Sequence, residues 1–159
     1  MKLFGKAVEG PNVEVIVIPR GEQSLVFKAQ AVLDFDTFNK MVPVPLAPMI
    51  LYKGSTVASP NVEDPEYKKA ISSRANLQSS WMIIKSLEAT PGLEWELIKA
   101  EDPSTWDKFF DEFKRSGFTE VEIGRILQGV MTANGLNEEK MEQARKRFLE
   151  QEAQARPTG

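Results

Sequence analysis

The chain has 159 residues, 20 basic and 23 acidic side chains, a net charge of −3, and neither cysteine nor histidine. Those two absences exclude disulfide frameworks, thiol nucleophiles and Cys/His zinc clusters, and with them Ser-His-Asp and Cys-His catalysis. The near-balanced charge offers no footprint for nucleic acid or an anionic membrane. Hydrophobic residues make up 42% of the chain, enough to build a core.

No apolar run approaches the ~18 residues that a membrane span needs. Lys2 at the start is followed by Glu9, Gly10 and Pro11 rather than by the apolar stretch of a signal peptide, so synthesis in the cytoplasm is expected.

In chain order, the first elements are strands. Val13, Val15 and Val17 alternate with Glu14, Ile16 and Ile18, an apolar, β-branched run on both faces. Pro19 to Gln23 reads as a loop of four or five residues. Leu25, Phe27, Ala29 and Ala31 then alternate with Val26, Lys28, Gln30 and Val32, completing a β-hairpin. A lone hairpin is marginal in water and needs cover. A short helix capped by Asp34 or Asp36 and carrying Phe35, Phe38 and Met41 is expected to supply part of it.

Pro43, Pro45, Pro48, Pro60 and Pro65 with Gly54, Ser55, Thr56 and Ser59 mark residues 42–64 as an extended linker. It is unusually apolar: Val44, Leu46, Met49, Ile50, Leu51 and Tyr52 sit among the prolines. Two readings stay open, a strap lying on the helices or an extended segment that docks on a partner.

Asp64-Pro65 places an N-cap acid before proline, starting a helix to about Leu87. Residues 93–98 alternate and fit a short strand or an extended link. Asp102-Pro103 repeats the start signal, and Trp106, Phe109, Phe110 and Phe113 form an aromatic stripe closed by Gly117. Thr119 and Glu122 form a capping box, with Phe118 placed to staple onto Ile123. Ile123, Ile126, Leu127, Val130 and Met131 give the next helix its apolar face, and Asn134-Gly135 ends it. Asn137 caps a last helix with an apolar seam of Met141, Ala144, Phe148 and Leu149, which fits either the core or a partner. The polar end of the chain is expected to fray.

The candidate chemistry is thin. Asp107, Asp111 and Glu112 share a helix, but such charge runs are usually solvated faces. Glu94 and Glu96 flank Trp95 on one side of one extended segment, whereas a glycosidase pair spans a cleft. Residues 106–134 have a helix-turn-helix outline, yet Glu120 and Glu122 on the second helix would oppose phosphate. There is no phosphate-binding glycine loop. No catalytic residue, cofactor or metal ligand is expected.

From Pro65 onward the motifs fit a family. Asp64-Pro65-x-Tyr67-Lys68-Lys69-Ala70, the run Trp81 to Leu87, and Thr90-Pro91-Gly92-Leu93-Glu94-Trp95 carry the likeness. So do Asp102 to Trp106, Ser116-Gly117-Phe118-Thr119-x-x-Glu122-Ile123, Ala133 to Glu138, and Ala144-Arg145-x-x-Phe148-Leu149. Together they resemble tail assembly chaperones, or closely related minor tail proteins, of tailed bacteriophages. The resemblance implies a non-enzymatic protein that binds the tape-measure protein, and in some cases tail-tube or other virion subunits, in the host cytoplasm.

The expected fold is α+β: a β-hairpin unit with a short helix (1–41), a proline-rich apolar linker (42–64), a bundle of about four helices (65–150) and a flexible tail (151–159). The residues expected to meet a partner are Val13, Val15, Val17, Val44, Leu46, Met49, Phe148 and Leu149. Self-association is left open. If the protein is instead a virion component, the strand Val13–Ile18 would add to a neighbour's sheet.

Overall fold

The structure, a computed structural model, describes residues 1–155. The fold is α+β, with three two-stranded antiparallel sheets and five α-helices among the described residues. The chain divides into two compact units, each assembled from separated stretches. The first comprises Met1–Leu33, Lys85–Leu93 and the chain from Gly117 onward; the second comprises Asp34–Ile84 and Glu94–Ser116. These units cut across the sequential segments expected from the proline-rich stretch.

In the first unit, β1 (Lys2–Leu3) and β2 (Lys6–Ala7) form a small ladder, turned by Phe4 and Gly5 at φ 49° and 79°. The larger hairpin joins β3 (Val13–Arg20) to β4 (Gln23–Gln30). Its turn is shorter than expected. Arg20 pairs with Gln23, leaving only Gly21 and Glu22 in the loop, with Gly21 at φ 57°. Two-residue hairpin turns that match the strand twist need a left-handed residue, and glycine takes that conformation without penalty.

Pro19 therefore lies inside β3, paired with Ser24. The ladder phase makes this possible. The Ala31 amide donates to the Asn12 carbonyl (2.8 Å), so residues 12 and 31 form a hydrogen-bonded pair. Pairs alternate along an antiparallel ladder, which puts Pro19 and Ser24 at a non-hydrogen-bonded position. Its missing N–H would have pointed off the outer edge of the sheet, where proline is tolerated.

One hairpin face carries Ile16, Ile18, Phe27 and Ala29, all buried. The helix α4 (Glu120–Ala133) covers it, burying Ile123, Ile126, Gly129, Val130 and Ala133. Leu127 is half-buried and Met131 exposed, so the buried stripe is turned slightly from the expected one. The capping box at Thr119 and Glu122 forms as expected. Phe118 stands edge-on to Phe27, with ring centroids 5.7 Å apart.

Asn134, just past α4, closes this unit. Its Oδ1 accepts from the Val32 amide (2.8 Å), and its Nδ2 donates to the Ser86 hydroxyl (2.8 Å). The last helix, α5 (Glu138–Ala155), is capped by Asn137, whose Oδ1 accepts from the Lys140 amide. The helix thus continues through residues 151–155, where a flexible tail was expected; residues 156–159 lie outside the described residues.

The second unit gathers aromatic rings. The helix α1 (Asp36–Met41) supplies Phe38, fully buried, with its ring 5.9 Å from Trp81 and 6.1 Å from Trp106. Phe38 thus serves this core, and the cover over the hairpin comes from α4. Neither Asp34 nor Asp36 is the N-cap of α1; that position is Phe35, although Asp34 Oδ1 accepts from the Asp36 amide. The helix α2 (Pro65–Leu87) has the expected limits, and Asp64 Oδ1 accepts from the Tyr67 amide (2.9 Å).

The aromatic stripe is split between a 3-10 helix (Pro103–Lys108) and α3 (Phe109–Arg115). Trp106 is fully buried, and its Nε1 donates to the Lys99 and Ala100 carbonyls. Burying side chains of this size contributes about 1.5–3 kcal/mol each.

Candidate interaction surfaces

The apolar residues singled out from the sequence fall on three surfaces. All eight are exposed: Val13, Val15, Val17, Val44, Leu46, Met49, Phe148 and Leu149.

The first surface is the outer face of the β3–β4 hairpin. Side chains alternate across a sheet, so Val13, Val15 and Val17 share the face opposite α4. Their cross-strand partners there are Gln30, Lys28 and Val26. Val26, also exposed, extends the valine patch onto β4 and was not singled out. Its signal was the same alternation that placed Phe27 and Ala29 inward.

The second surface is the proline-rich stretch. It is less extended than expected: β5 (Met49–Ile50) pairs with β6 (Ser59–Pro60), and the Asn61 amide donates to the Pro48 carbonyl (2.7 Å). Arg74 of α2 holds its start. The guanidinium donates through Nε to the Val42 carbonyl (3.1 Å) and through Nη2 to Asn39 Oδ1 (2.6 Å), and lies over the Phe38 ring. Pro45, Leu46 and Pro48 border an open hollow of about 340 Å³ with Tyr67 and Ala70 of α2. The backbone is thus anchored while the side chains of Val44, Leu46, Met49, Leu51 and Tyr52 face outward.

The third surface is α5. Met141, Phe148 and Leu149 are each more than half exposed, so this seam is not core. An ion pair from Lys140 to Glu14 (3.2 Å) ties the first turn of α5 to β3. One further apolar residue, Phe4, escaped notice: it is 99% exposed at the β1–β2 turn, in a left-handed conformation that a bulky side chain rarely adopts.

The polar groups do structural work. Glu112 was expected on a solvated face with Asp107 and Asp111, which are indeed exposed. Glu112 is buried instead. Its carboxylate accepts the Glu96 amide (2.5 Å) and the Leu97 amide (3.0 Å). Residues 93–98 form no strand; Glu96 and Leu97, whose amides Glu112 holds, lie in a bend. Trp95 is half-buried against Phe113, and Glu94 and Glu96 are exposed.

Glu122 is the other engaged acid. Its Oε2 accepts from the Thr119 amide (2.8 Å) and from Arg20 Nη2 (3.0 Å), and Arg20 also donates to the Gly117 carbonyl. The Thr119 amide chiefly, then the Thr119 hydroxyl and the charges of Arg20 and Arg125, hold this carboxyl below the usual glutamate range against a partial desolvation. Asp102 is likewise lowered, by the Ser104 hydroxyl, then the Ser104 amide and the charges of Lys99 and Lys108.

Among the described residues no three Asp, Glu, His or Cys side chains are grouped to hold a metal ion, and no helix is long and apolar enough to cross a membrane. No family model, curated protein or solved structure matches this chain. The described residues offer a partner three exposed apolar surfaces.

Proposed function

We propose that this protein is a non-enzymatic tail assembly chaperone of a tailed bacteriophage, acting in the host cytoplasm. Its principal partner is the tape-measure protein, with tail-tube subunits as further partners. The observation that carries the reading is the α5 seam: an 18-residue helix on which Met141, Phe148 and Leu149 are each more than half exposed. An amphipathic helix with an exposed apolar face is suited to pairing with an apolar groove or helix of a partner. The caps and core aromatics from Pro65 onward, which resemble this family, supply the identity of that partner.

Co-expression with the phage's tape-measure protein tests the proposal. The chaperone should raise the soluble fraction of that protein and co-elute with it. Unchanged solubility and separate elution would sink the idea.

A second reading, a structural component of the virion, rests on the bare edge of β3, suited to joining a neighbour's sheet. Mass spectrometry of purified particles separates the two, because a chaperone is absent from them and a structural subunit is stoichiometric.

A further inference from the structure

The β3–β4 sheet has two edges, and the chain treats them differently. At β4 the outward backbone groups of Lys28, in the middle of the strand, are taken by a side chain. The Thr90 hydroxyl accepts from the Lys28 amide (2.8 Å) and donates to the Lys28 carbonyl (3.0 Å), and Asn134 takes the Val32 amide just beyond the strand. Lys28 and Gln30 also place polar side chains there, as natural edges do to avoid pairing.

At β3 nothing comparable is present. Lys28 turns its backbone groups outward to Thr90, so its partner Val15 stands at a non-hydrogen-bonded position and turns its own N–H and C=O outward on the opposite edge. By the same alternation Val13 and Val17 do so too. No hydrogen bond within the described residues reaches these groups. The side chains of all three are exposed, apolar and uncharged. This is an edge without a guard.

The guards stand at its ends. Pro11 and Pro19 are equidistant from Val15, and proline offers no N–H to a new strand. The pairing window is thus Val13 to Val17, centred on Val15, and it reads the same from both ends: valine, any residue, valine, any residue, valine. Such a window is complementary to itself in the antiparallel sense.

We propose that β3 pairs with β3 of a second copy of this chain, antiparallel and two-fold symmetric about Val15. Val15 then faces its counterpart, and Val13 faces Val17 of the other copy. Each facing pair exchanges both hydrogen bonds. On the outward face the valines of the two copies meet in the middle of a four-stranded sheet. Lys28 and Gln30 lie on the outer strands, so no like charges oppose each other across the seam. The isologous contact needs one patch only, as two-fold dimers do.

The register makes Val15 its own partner, and this supplies a specific test. Analytical ultracentrifugation over a concentration series of the full chain should show a monomer–dimer equilibrium. Val15→Lys and Val15→Glu should each be monomeric, because each charge faces itself. An equimolar mixture of the two should recover the dimer. Both substitutions fall on an exposed side chain, and circular dichroism confirms that the folds match. Amide hydrogen exchange adds a second reading: Val13, Val15 and Val17 should gain protection as concentration rises.

A wild-type chain that stays monomeric into the high-micromolar range overturns the proposal, and so does a monomer that instead captures an added extended peptide at this edge. Dimerisation of Val15→Lys and Val15→Glu as strong as that of the wild type overturns it as well, since the contact would then lie elsewhere.

Discussion

A Cβ placed on Gly129 of α4 would lie 2.3 Å from both Cγ1 and Cδ1 of Ile16 on β3. The helix sits on the hairpin at a distance that only a glycine permits. Both atoms belong to a β-branched, buried side chain, so a rotation about χ2 alone moves only one of them away.

Gly129→Ala should therefore destabilise the protein. Overpacking a core typically costs about 1–3 kcal/mol, and alanine's better helix propensity returns about 1 kcal/mol. A net loss of up to roughly 2 kcal/mol in urea unfolding is expected. In the Ile16→Ala background the same change should be neutral or favourable, because the clashing atoms are gone. A Gly129→Ala cost that persists unchanged in that background would place the strain elsewhere.

Glu112→Ala should cost about 1–3 kcal/mol, since the amides of Glu96 and Leu97 lose their acceptor. Asp111→Ala, one residue away on the exposed side, should change stability by no more than about 0.5 kcal/mol. Thermal denaturation of the two variants side by side checks the contrast. Equal effects would contradict the buried, bonded role of Glu112.

Acid should weaken the caps. The folded state holds the carboxyls of Glu122 and Asp102 below their ordinary ranges. Their stabilisation is thus fully present above the ordinary carboxylate range and is lost as pH falls through the lowered folded values. Urea midpoints of the wild type and Glu122→Gln should differ at neutral pH and converge in acid. A gap that stays constant down to the acid limb would show that Glu122 contributes no proton linkage.

Charges on the α5 seam should separate binding from folding. Met141→Glu with Phe148→Glu changes two exposed positions, so the unfolding midpoint should stay within about 0.5 kcal/mol of the wild type. Under the proposed function, solubilisation of the tape-measure protein should be lost. Full retention of that activity would remove α5 from the partner-binding surface.

Local signals were the legible ones. The limits of α2, the capping box at Thr119 and Glu122, and the left-handed Gly117 after α3 each depend on residues within one turn of one another. What escaped depends on distant residues. Glu112 looked like one more surface acid because its partners, the amides of Glu96 and Leu97, carry no sequence signature. Gly129 carried no sequence signal, since its reason is Ile16. Pro19 was read as the start of the loop, and fits the strand only because the ladder phase points its nitrogen off the sheet. The eight candidate residues were readable as apolar; the exposure of Val13, Val15 and Val17 followed from which face α4 covers, which alternation alone leaves undecided along a strand apolar on both sides.

The hydroxyl of Thr90 has a consequence for growth. By occupying both backbone groups of Lys28 it takes the place of a neighbouring strand at the middle of this edge. A sheet with two open edges can propagate from molecule to molecule into a fibre. With β4 blocked at Lys28 and β3 open, the proposed β3–β3 pairing uses the open edge of each participant and ends at two copies. Loss of that hydroxyl, in Thr90→Val, would convert a self-limiting contact into one able to polymerise.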